Sequence, residues 1–81
     1  MKEHEFILVL NAEPDDDQAE RLYAILNDGT VATVAGIPQI QFHREGPSLV
    51  EAIASAIADV RRAAFDVLRV EIAPDEVLQA S

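Results

Sequence analysis

Ile37-Pro38-Gln39-Ile40-Gln41-Phe42-His43-Arg44 runs directly into Glu45-Gly46-Pro47-Ser48-Leu49-Val50-Glu51, and the seam between them decides the fold. Ile40 and Phe42 alternate with Gln39, Gln41 and His43, the pattern of a strand with one buried face. Pro38 has no N–H to give a ladder, so it belongs at the strand's start or at an unpaired position. Gly46-Pro47 stops the strand. Ser48 and Glu51 then stand at capping-box spacing and open a helix. Leu49, Ile53, Ile57, Val60 and Ala64 recur at helical intervals, which predicts an apolar stripe. Ala52, Ala54, Ala56, Ala58, Ala63 and Ala64 favour helix and let it approach a sheet closely. A half-buried strand followed at once by an amphipathic helix is one half of a layered α+β domain.

The other half lies upstream. Phe6-Ile7-Leu8-Val9-Leu10 is a short, branched apolar run that predicts a central strand. After Asn11-Ala12-Glu13-Pro14, Asp15 is placed to cap a helix with Gln18 three residues on, and Asp16 and Asp17 suit its positive first turn. Ala19, Leu22, Tyr23 and Leu26 form the predicted stripe. Asn27-Asp28-Gly29 ends the helix, with Gly29 suited to a left-handed C′ position. Thr30 to Val34 is β-branched and predicts a strand, joined to Ile37 by the tight connection Ala35-Gly36. Downstream, Asp66 to Ala73 predicts the last strand, with Leu68, Val70 and Ile72 alternating with Arg69 and Glu71.

The predicted order is β-α-β-β-α-β, the order of a ferredoxin-like plait: a four-stranded antiparallel sheet with two helices on one face. Residues 1–74 form one domain, and 75–81 a C-terminal tail or the start of a further helix at Val77-Leu78-Gln79. Phe6, Leu8, Leu10, Ile40, Phe42, Leu68, Val70 and Ile72 are expected to face the helices. Ile7, Val9, Gln39, Gln41, His43, Arg69 and Glu71 are expected on the open face. Branched residues among polar ones there predict that this face, or an edge strand, is covered by a second copy of the chain.

Charge and composition narrow the function. The chain has 81 residues, 15 acidic against 6 basic, and a net charge of −9. So acidic a surface disfavours contact with phosphate backbones and with anionic membranes. Cysteine is absent, which removes disulfides, thiolate metal sites and thiol nucleophiles. Phe6 to Leu10 is the longest unbroken apolar run, too short for a signal core or a membrane span, so the expected location is the cytoplasm.

Candidate chemistry is sparse. Asp15-Asp16-Asp17 lacks the spaced ligands of a calcium loop, and helix capping accounts for it. His4 and His43 have no i, i+4 partner of the metal-binding kind, so no metal or cofactor is expected. His43 with Glu71 across the open face is the one pairing that offers acid–base chemistry. Ser48 is engaged in capping, Ser55 lies mid-helix and Ser81 is terminal. None sits in a nucleophile turn. The loop after the first strand, Asn11-Ala12-Glu13-Pro14, is followed by aspartates, which repel phosphate.

The stretch Gly36 to Leu49, continuing through Glu51-Ala52-Ile53, Ser55-Ala56-Ile57 and Asp59-Val60, resembles a signature of small bacterial proteins. Those proteins have an F-x-L-V-L-like opening strand (here Phe6 to Leu10) and a Leu-Tyr pair in the first helix (Leu22-Tyr23). A G-V-P-x-x-x-F-x-R-E segment, a P-S-L-x-E-A-I helix and a V-x-x-V-E-like strand (Val67 to Ile72) follow. Many members place a helix-turn-helix segment after this domain and resemble transcriptional regulators or antitoxins. The signature carries no catalytic residues. This chain departs from it at His43, where an aspartate is frequent, and it ends at Ser81, where the DNA-reading segment is expected. The resemblance implies a non-catalytic interaction and dimerisation module, expected to form a homodimer and to take a protein partner such as a toxin. Two other readings share the strand order: an ACT-like small-molecule sensor, and a small dimeric enzyme using His43.

Overall fold

A computed structural model describes residues 2–26 and 28–74. The expected tail at 75–81, its helix start included, lies outside the described residues, as does Asn27. The elements are β1 (Lys2–Leu10), α1 (Asp16–Ile25), β2 (Gly29–Val34), β3 (Ile37–Gly46), α2 (Leu49–Arg62) and β4 (Val67–Glu71). They form one antiparallel sheet in the order β2-β3-β1-β4. Both helices bury against the same sheet face, so the ferredoxin-like α+β plait stands.

β1 begins four residues before the apolar run that announced it. Glu3, Glu5 and Ile7 alternate with His4, Phe6 and Leu8, and the whole stretch pairs with β3 from Lys2↔Gly46 to Val9↔Gln39. His4 is buried, its Nε2 lying 3.3 Å from the Gly46 carbonyl oxygen.

The core joins Phe6, Leu8, Leu10, Ile40 and Phe42 to Leu22 and Leu26 of the first helical segment and to Leu49, Ala52, Ala56 and Val60 of α2. Phe6 and Phe42 are cross-strand partners, and their rings stack at 5.3 Å. The buried stripe of α2 runs through its alanines, while Ile53 and Ile57 pack along its flank. Small residues therefore set the distance between this helix and the sheet. Among the residues expected to face the helices, Leu68 does not: it is 67% exposed. The β1–β4 register shifts between Val9 and Leu10, which pair with Arg69 and Val67. Leu68 is the extra residue of that bulge, and Val67 takes the inward position instead.

Capping is complete at α1. Asp15 Oδ1 accepts from the Gln18 N–H at 2.8 Å, and Gln18 Oε1 accepts from the Asp15 N–H at 3.0 Å. At α2, Ser48 Oγ accepts from the Glu51 N–H at 3.2 Å. Gly29 is not the left-handed cap expected of it. It opens β2, where an added Cβ would meet Ile40 Cγ2 at 3.0 Å and Phe42 Cε1 at 3.2 Å. Close packing, not turn geometry, requires glycine there.

Left-handed backbone occurs at Ala35 (φ 52°) and Gly36 (φ 78°), the two-residue hairpin between β2 and β3, and at Ala64 (φ 68°). Ala64 follows α2 in a Schellman turn: its N–H donates to the Arg61 carbonyl and that of Phe65 to Val60. Ala64 thus leaves the helical stripe in which its spacing placed it. Two alanines hold a conformation that suits glycine or asparagine. Ala64→Gly and Ala35→Asn should each raise stability by about 0.5–1 kcal/mol in urea denaturation. Ala58→Gly, mid-helix in α2, should lower it by a similar amount, roughly 1 kcal/mol.

Candidate functional site

The open sheet face is where the uncovered chemistry lies. His43 and Glu5 are directly opposed on β3 and β1. The His43 N–H donates across to Asp28 on the β2 side. His43 and Glu5 are therefore a non-hydrogen-bonded pair, the close kind, whose side chains meet. His43 Nδ1 lies 3.1 Å from Glu5 Oε1 and 3.7 Å from Glu3 Oε1. The expected partner, Glu71, is elsewhere: it aligns with Ile7 on β4 and accepts from Arg69 Nε at 3.0 Å. Strand register, which alternation alone does not set, makes the difference.

Of the seven residues expected on this face, Ile7, Gln41, His43 and Glu71 line one shallow depression of about 300 Å³, together with Glu5. Arg69 is exposed beside it. Val9 and Gln39 are not part of the accessible surface, being only 2% and 8% exposed. They are cross-strand partners, and Val9 also faces Arg69.

Glu3, Glu5 and His43 bring one donor atom each to within 4.8 Å of one another. Among the described residues this is the set with the donor types for a divalent cation. Residues two apart on β1 and one opposite on β3 create it, a spacing that a search for helical i, i+4 pairs passes over. All three side chains are more than half exposed. Water reaches the imidazole and both carboxylates, so the pair is a solvated surface contact rather than an enclosed acid–base site. Ser48 and Ser55 are on α2's side of the molecule, away from His43's face: Ser48 caps, and Ser55 Oγ donates to the Ala52 carbonyl.

What holds this face in place is a residue that spacing did not single out. Arg44, the neighbour of His43, points to the helix side. Its Nε and Nη2 donate to Asp28 Oδ2 and Oδ1 at 2.7 and 3.0 Å. Its Nη1 reaches Asp59 Oδ2 at 3.0 Å and Ser55 Oγ at 3.1 Å. The guanidinium lies 5.2 Å from the Phe42 ring centroid. These bonds hold the Asp28 carboxyl below its ordinary range, against the opposing effect of burial. Asp28 in turn raises Arg44 further.

Set against protein-family models, curated proteins and solved structures, the chain matches none of them. The resemblance to regulators and antitoxins therefore rests on the residues quoted above. No helix of the described residues is long and apolar enough to cross a membrane.

Arg44→Met should cost about 2 kcal/mol at neutral pH, since it leaves Asp28 and Asp59 without their shared cation. The charge dependence has a definite sign. Asp28 is depressed in the folded state, so its contribution is complete above the ordinary value of 3.8 and disappears as pH falls through the lower folded value. The stability gap between wild type and Asp28→Asn should accordingly close in acid. Urea titrations at several pH values read this directly, and a gap independent of pH would rule out a charge-based clamp.

Proposed function

We propose that this chain is a non-catalytic interaction module of a regulatory or antitoxin-like protein, which self-associates and receives a basic protein partner on its open sheet face. The observation that carries the reading is the depression on that face. Its lining combines the apolar Ile7 with Glu5, Gln41, His43 and Glu71. Glu3, Glu5 and Glu45 lie on the same face at one end of the sheet. A partner side chain with an aliphatic stem and a cationic head matches both features.

The net charge of −9 supports the same choice. It raises the encounter rate with cationic surfaces and disfavours phosphate backbones. Direct contact of this domain with DNA is not part of the proposal. Any DNA reading belongs to a segment beyond it, as in the proteins it resembles.

A short peptide of alternating arginine and leucine is a suitable probe, followed by amide NMR shifts. The shifts should centre on Ile7, Gln41, His43 and Glu71, and Glu5→Lys with Glu71→Lys should abolish them. Shifts of equal size at Asp15, Asp16 and Glu20 on α1 and its cap would overturn the reading, because they would show diffuse attraction to negative charge.

A further inference from the structure

We infer that two copies of this chain join through the outer edge of β2, and that Tyr23 is the gate on that edge. This deepens the reading of a self-associating module and rests on it.

β2 is an edge strand. Its sequence, Gly29-Thr30-Val31-Ala32-Thr33-Val34, contains no charged residue, in a chain of which 26% is charged. Edge strands are ordinarily protected by charges, prolines or bulges, and this one has none of them. It is rich in β-branched residues that suit strand pairing.

The ladder fixes which backbone groups face outward. His43 N–H donates to the Asp28 carbonyl, so Asp28, Thr30, Ala32 and Val34 turn their backbone groups to β3. Gly29, Val31 and Thr33 turn theirs away from the sheet. At the middle of the three, the Tyr23 hydroxyl accepts from the Val31 N–H at 3.2 Å and lies 3.5 Å from its carbonyl oxygen. One hydroxyl thus stands where a neighbouring strand would put an N–H and a C=O. Beside it, Thr33 Oγ1 donates to Glu13 Oε1 at 3.1 Å. Tyr23 itself is 49% exposed, so it can swing into water without unpacking the core.

The occupant that fits is a second β2. A strand without charge meets its own copy without like-charge repulsion between the two strands. A two-fold axis at Val31 lets the two copies of Val31 exchange both of their outward bonds, with Gly29 of each facing Thr33 of the other. Two four-stranded sheets then become one, and the open faces of both copies stay available to a partner.

Sedimentation of the full chain from low micromolar to millimolar concentration tests this. Tyr23→Phe removes the hydroxyl from both copies and should tighten association roughly twenty-five-fold, the equivalent of one net hydrogen bond per copy. Val31→Pro removes an N–H that β3 does not use, and should leave a folded monomer. Amide exchange at Val31 in the wild type provides a measure independent of that variant's folding: protection should rise with protein concentration. A dimer unchanged by both substitutions, with Val31 exchange independent of concentration, would overturn the edge interface and leave self-association standing. Wild type and Tyr23→Phe both monomeric at millimolar concentration would overturn both. A wild-type monomer with a Tyr23→Phe dimer would support the gate and overturn self-association of the native chain. An added unrelated strand peptide that protects Val31 while no dimer forms would replace the second copy as occupant.

Discussion

One guanidinium connects the two halves of this domain. Arg44 on β3 grips Asp28, which leads into β2, and Asp59 and Ser55 on α2, while lying over the Phe42 ring. Its side chain is only 13% exposed, so the fork of bonds operates in a partly desolvated setting where bidentate geometry counts. The clamp pins the start of β2 against β3, at the end far from the hairpin. Turn and clamp together set the register, and strict alternation then sends Arg44 to the helix side and His43 to the open side. The clamp decides which side of β3 His43 takes, and the β1–β3 register then sets it opposite Glu5.

The acidic excess is distributed unevenly around this frame. Asp15 is used in a cap, with Asp16 and Asp17 in the first turn of α1, where the helix dipole favours them. Asp28 and Asp59 share Arg44. Of the rest, Glu3, Glu5 and Glu45 gather at one end of the open face, and Glu71 lines the depression on it. A large negative charge thus divides into a part that supports the fold and a part that confronts solvent. The −9 of the whole chain overstates how much of it a partner meets.

Much of this was legible in the sequence because the signals are local. Asp15 with Gln18, Ser48 as a cap, the Ala35-Gly36 turn and the alternation of Ile40 and Phe42 each depend on residues a few positions apart. What was not legible depends on residues far apart in the chain. The bulge that turns Leu68 outward arises from pairing with β1, and no feature of β4 alone announces it. Glu71 and Glu5 offer the same carboxylate to His43, and register alone chooses between them. Gly29 looked like a helix terminator, yet what demands it is the Ile40 and Phe42 side chains across the ladder. Arg44 stood in the quoted signature, but its three polar partners lie 11 to 16 residues away on two other segments. Asp59 stood in the same signature without any sign of a tie to it. The open face was foreseen in composition but not in depth. Val9 counted as exposed because it alternates with Leu8 and Leu10, whereas it is only 2% exposed in the sheet, between Gln39 and Arg69.

The two edges of the sheet show how differently one chain treats the same hazard. β4 carries Arg69 and Glu71, bonded to each other, and a bulge that breaks its regular pairing with β1. Charge and irregularity both discourage a further strand from adding there. β2 has neither, and its outward Val31 groups are satisfied by a tyrosine hydroxyl borne on α1. A charge or a bulge is a permanent obstruction, because removing it would mean changing the sequence or the register. A hydroxyl on a half-exposed side chain can leave by rotation about two bonds. The edge that lacks permanent protection is also the one that adjoins the Arg44 clamp through Asp28, so its position is fixed while its outer bonds remain exchangeable. A rigid strand with a removable cover is better suited to forming a contact than to avoiding one.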